Sequence, residues 1–90
     1  MAISVEAVVR NKYGFHIRPS TQFMDLSRKF ASSVTVEAGD ISADGKSILE
    51  LMTLGAAWNS VVRITADGPD EAEAVQALKA LIDDRFGGIE

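Results

Sequence analysis

The chain has no cysteine among its 90 residues, which excludes disulfides, thiolate zinc sites and cysteine nucleophiles. Histidine occurs once, at His16, and one imidazole without a close second ligand seldom holds a metal, so none is expected. No run approaches the ~20 apolar residues of a membrane helix, so membrane insertion is not expected. The first ten residues show neither the basic region nor the long apolar stretch of a signal peptide, which makes the cytoplasm the expected compartment. Positive charge is scarce: 9 Lys and Arg stand against 13 Asp and Glu, a formal net charge of −4. Nucleic-acid binding by bulk electrostatics is therefore not expected, because counterion release needs a basic surface. Trp58 and Tyr13 occur once each and lack the basic interleaving of an RNA-stacking surface.

What is present describes an ordinary globular chain, 47% hydrophobic and 24% charged. One domain spanning 1–90 is expected. A chain this size buries roughly 60–65% of its unfolded surface, enough for a modest core and a surface site but not a deep substrate cavity. Arg10, Lys12, Arg18, Arg28 and Lys29 all fall in the first third, whereas the last third, from Asp67 onward, is mainly acidic. A local positive patch on an acidic protein suits an acidic partner or a phosphoryl group, although, taken without the motif below, a solvated mixed-charge surface is the favoured reading.

Residues 3–9 alternate, with Ile3, Val5, Ala7 and Val9 on one face, which predicts a strand with one buried side. A helix is expected over 17–29: Pro19 fits its first turn, Phe23, Leu26 and Phe30 recur on one face, and Arg28 and Lys29 occupy its last turn. Strands are expected over 33–38 and 41–43 about a Gly39-Asp40 turn. A short helix follows over 47–54, ended by Gly55, then a strand over 61–66. The last helix spans 70–84, with Val75, Leu78 and Ile82 on one face, and Gly87-Gly88 closes it. The order βαββαβα, with single-faced helices, predicts an open-faced two-layer sandwich. Periodicity leaves the strand order open.

His16 lies between a glycine loop and a helix start, in Gly14-Phe15-His16-Ile17-Arg18-Pro19-Ser20. A helix N-terminus offers unpaired N–H groups and the positive end of a dipole, which bind phosphate. An imidazole there can act as a nucleophile toward phosphorus, and Arg18 can supply a fork of donors to phosphoryl oxygens. Gly14 allows the sharp backbone approach. The plain alternative is a surface or capping histidine. Ser47-Ile48-Leu49-Glu50 reads as a capping box, in which Ser47 accepts from the Glu50 N–H and Glu50 reaches back to the Ser47 N–H. Ser47 can also be read as a phosphoacceptor. Ile48, Leu51 and Met52 form a stripe that is core on one side, and any exposed part is a candidate docking patch.

Three blocks resemble the HPr family, histidine-containing phosphocarriers of the bacterial phosphoenolpyruvate-dependent phosphotransferase system. Asn11-Lys12-Tyr13-Gly14-Phe15-His16-Ile17-Arg18-Pro19 is similar to the family's active-centre motif. Asp44-Gly45-Lys46-Ser47-Ile48-Leu49-Glu50-Leu51-Met52 is similar to its regulatory serine block, and residues 64–72 to its last strand-to-helix passage. The resemblance implies an α+β fold, a four-stranded antiparallel sheet with three helices on one face, acting as a monomer without a cofactor. It implies that enzyme I phosphorylates His16 on Nδ1 and that IIA domains of sugar permeases, or related acceptors, receive the group. Arg18 would hold the phosphate, with Gly14, Ile17, Pro19, Ile48, Leu51 and Met52 supporting or docking, and a serine kinase or phosphorylase would act on Ser47. Phe15 stands where the family usually has leucine, Ile17 where it has a small residue, and Asn59 where glycine is common. Phe15 and Ile17 therefore bear on partner choice, while Asn59 tolerates the positive φ of its turn. A nitrogen-regulatory branch of the same fold, or a docking module that no longer carries phosphate, are the other readings.

Overall fold

In the computed structural model, which describes residues 2–89, the elements are β1 (Ile3–Val8), α1 (Ile17–Ser27), β2 (Ser33–Ala38), β3 (Ile41–Asp44), α2 (Ile48–Met52), β4 (Val61–Asp67), α3 (Glu71–Asp83) and a closing turn, α4 (Arg85–Gly88). The strands form one antiparallel sheet in the order β1-β4-β2-β3. The crossover through α1 leaves a gap between β1 and β2, and β4 fills it. On the inner face Ala7 pairs with Val62, Val36 with both Ile64 and Ala43, and Val34 with Ala66. All of these are buried, as period-two alternation requires of a one-sided sheet. The outer face is polar: Ser4 and Thr65 share a 2.8 Å hydrogen bond, and Arg63 lies 3.9 Å from Glu6.

α3 lies on β1 and β4 through Ala74, Val75, Leu78 and Ile82, while α1 packs against α2 and α3. Each large apolar side chain buried here contributes about 1.5–3 kcal/mol. The α+β sandwich is thus as expected, with shifts at the element ends. β1 gives out at Val8 because Val9, still buried, exchanges hydrogen bonds with the 59–60 turn instead of continuing its ladder. α1 stops at Ser27; the Arg28 and Lys29 amides bond Met24 and Leu26 as the turn tightens, so neither cation lies inside the last turn. Its buried stripe is Pro19, Phe23 and Ser27 with Ser20, while Leu26 and Phe30 are only partly covered. α2 is one turn shorter than expected, its end tightened by Thr53 and Leu54 amides on Glu50 and Leu51 carbonyls. Beyond α3, Arg85, Phe86, Gly87 and Gly88 all have positive φ, and this left-handed turn carries the Phe86 ring into the core.

Candidate functional site

The loop from β1 to α1 is held by a small set of bonds. The buried Asn11 donates through Nδ2 to the Gly14 carbonyl at 2.7 Å, and the Gly14 amide donates back to the Asn11 carbonyl at 3.3 Å. Gly14 has φ +62, and a Cβ there would come within 1.9 Å of the Ala56 carbonyl oxygen, so only glycine fits. The Phe15 amide bonds that same carbonyl at 3.3 Å. Phe15 turns inward, its ring edge-on to Phe23 and Phe86 at 5.7 and 5.5 Å, and the Ser20 hydroxyl donates to its carbonyl. Phe15 is thus a core residue, which corrects the expectation that it bears on partner choice from beside the site, whereas Ile17 is 58% exposed.

His16 is therefore delivered from a fixed backbone. It is the N-cap of α1 in an extended conformation, φ −80 and ψ −171, and its side chain makes no capping hydrogen bond. Its carbonyl accepts from Ser20 N at 3.0 Å. The half-buried imidazole meets the Tyr13 ring edge at 6.3 Å. Ile17, Arg18 and Pro19 follow as the first three helical residues. The amides of Ile17 and Arg18 have no intrahelical acceptor in this geometry, and Pro19, buried, has no amide to satisfy. Arg18 leaves the same turn exposed to solvent. The turn thus places an imidazole, the amides of a helix start and a guanidinium within three consecutive residues, group types that bind a tetrahedral anion.

Ser47 caps α2, its hydroxyl accepting from Glu50 N at 3.3 Å. The reciprocal half of the capping box does not form. The Ser47 amide bonds the Asp44 carbonyl, and Glu50 Oε1 accepts from Asp44 N at 3.0 Å, reaching past Ser47 to the end of β3. Leu51 is fully buried and belongs to the core, which corrects its place among the docking residues. Met52 is 43% exposed and Ile48 partly so, while Leu49, not singled out from the sequence, is 76% exposed. A helix this short shows too little of its period for the inward position to be assigned beforehand. Asn11 and Phe86 were also missed as supports of the site. An Asn three residues before a glycine is a turn signal that could have found the first; Phe86 has no local signal, because its turn is left-handed.

A family model described as "PTS HPr component phosphorylation site" matches residues 3–84. Phosphocarrier protein HPr of Neisseria meningitidis serogroup A is 44% identical over 84 residues, 93% of this chain and 92% of that protein. HPr of Haemophilus influenzae is 42% identical over 78 residues, 87% and 89% of the two chains. The crystal structure of HPr-C-His from Thermoanaerobacter tengcongensis superposes with a TM-score of 0.91 at 38% identity, covering 98% of this chain and 99% of that one. With the same order of elements, and a single histidine at the head of α1, the chain belongs to the HPr family of phosphocarrier proteins of the phosphotransferase system.

Proposed function

We propose that His16 accepts a phosphoryl group from enzyme I, itself charged by phosphoenolpyruvate, and passes it to a IIA domain of a sugar permease. The observation that carries this reading is the position of His16 as N-cap of α1, with Ile17 and Arg18 beside it as the first helical residues. A neutral ring nitrogen attacks phosphorus, a P–N bond forms, and the donor's bond to phosphorus breaks. The acceptor reverses the step. The amides and Arg18 are placed to balance charge on the moving group, so that neither transfer needs solvent to reorganise around it. Such a carrier works in the cytoplasm as one domain, a monomer that meets each partner in turn.

Ser47 is the second proposed site, a serine that a kinase modifies and a phosphorylase restores to tune docking over Ile48 and Met52. Its hydroxyl already faces the α2 start through Glu50 N. Incubation with enzyme I and phosphoenolpyruvate, read by intact mass, tests the main reading: one phosphoryl group is gained, and adding a IIA domain removes it. A His16→Ala chain that labels as fully as wild type would overturn it.

A further inference from the structure

We propose that a shallow pocket lined by Arg10, Lys12, Trp58 and Arg85, beside the histidine loop, docks a carboxylate-bearing segment of the protein that exchanges phosphate with His16. The partner's identity rests on the phosphocarrier reading; the acidic chemistry rests on the pocket alone.

The chain has only 9 basic residues and a net charge of −4, yet three cations line this pocket with no carboxylate among them. They come from two segments far apart in the sequence: the loop between β1 and α1, which carries Arg10 and Lys12, and the closing turn, which carries Arg85 at the end of the mainly acidic last third. Among the described residues the ion pairs join Glu6 to Arg63 and Lys79 to Asp83, and neither includes Arg10, Lys12 or Arg85. Like charges gathered in this way repel, and an anion seated among them relieves the repulsion.

The backbone holds the group in place. Val9 N donates to Ser60 O at 2.8 Å and Asn59 N to Val9 O at 2.7 Å, which pins the turn carrying Trp58 to the loop start carrying Arg10. Asn59 has φ 71, within the range its side chain tolerates. Arg85 sits at φ 52, a conformation unfavourable for an L-residue, and is kept there by the neighbouring Phe86 ring packed on Phe15. Phe86 goes inward and Arg85 outward.

Two features favour a protein segment over a small molecule. The pocket is partly open to solvent, whereas small ligands are mostly held in clefts that bury most of their surface. Its indole, the chain's only one, is 63% exposed and lines the pocket together with two arginines, and Trp and Arg are residues that anchor protein interfaces. The pocket is also continuous with the exchange site: Lys12 Nζ lies 5.3 Å from the Tyr13 ring centroid, and Tyr13 touches His16.

Two measurements test this. In the first, the KM of the protein as substrate for enzyme I is compared for wild type and Lys12→Glu/Arg85→Glu at low salt. The expected result is a rise of about tenfold with kcat unchanged, shrinking as salt is added. Arg10→Glu/Lys12→Glu, which leaves the closing turn untouched, should behave alike. In the second, Trp58 emission is followed while hexaglutamate is added to unphosphorylated protein. A saturable change that is lost in high salt and in both double variants is expected. Equal KM values in folded variants, or emission indifferent to hexaglutamate, would overturn the proposal. So would saturation by ATP without a response to the peptide, which would make the pocket a nucleotide site. If wild type is not phosphorylated at all, the carrier reading fails, and the peptide titration still decides the pocket.

Discussion

At the scale of the residue, Gly14 is the position where sequence and site are most tightly joined. Its positive φ and its contact with the Ala56 carbonyl leave no room for a methyl group. Gly14→Ala should lower stability by roughly 1–3 kcal/mol and slow phosphorylation as the histidine loop lifts from Ala56; paired thermal melts and transfer rates check this. Arg18 is exposed, so Arg18→Ala should melt as wild type does. Transfer should slow about ten- to hundredfold, the worth of a hydrogen bond to a charged group. Lysine should restore part of the rate, since it lacks the planar fork. At Ser47 only one capping bond exists, so Ser47→Asp should stay within about 1 kcal/mol of wild type in stability. The same change should slow phosphorylation of His16 by enzyme I. An unchanged rate would leave Ser47 a helix cap and nothing more.

At the scale of the element, the start of α3 is tied to the start of β2 through one side chain. The Asp70 carboxylate accepts from Ser32 Oγ and from the Ala31 and Ser32 amides, each at 2.9 Å for the amides. The Ser32 hydroxyl, and then the Ala31 amide, hold its pKa below the ordinary carboxylate value. A depressed folded value means the contribution is whole above the ordinary carboxylate value of about 4 and is lost as the pH falls from there through the lower folded value. Asp70→Asn should therefore lower the melting temperature near neutral pH, and the gap from wild type should narrow in acid. The closing turn behaves differently. Phe86→Ala removes a buried ring that touches Phe15 and should cost about 3–5 kcal/mol, a large share of the stability of a chain this size. The strands were legible from the sequence because period-two alternation survives even in four to seven residues. The helix faces were less so: Ser20 and Ser27 are buried in α1 although nothing apolar marks them, and Leu51 and Leu49 in α2 differ only in which way one short turn points.

At the scale of the whole molecule, the fold separates a rigid support from an exposed edge. The inner sheet face and α3 form the core, while His16, Arg18, Ser47 and the Arg10, Lys12, Trp58 and Arg85 pocket lie on loops and helix ends around it. The histidine and its arginine were visible in the sequence because they are neighbours along it. The pocket was not, because Arg85 reaches Lys12 only through the fold. The central claim, that His16 carries the phosphoryl group, has a direct measurement: NMR of the protein phosphorylated by enzyme I, with nitrogen-15 in its one histidine. The account predicts a single phosphorus resonance coupled to Nδ1 of His16, lost on brief acid treatment and stable in base. A phosphorus signal with no coupling to a ring nitrogen, stable in acid, would contradict it.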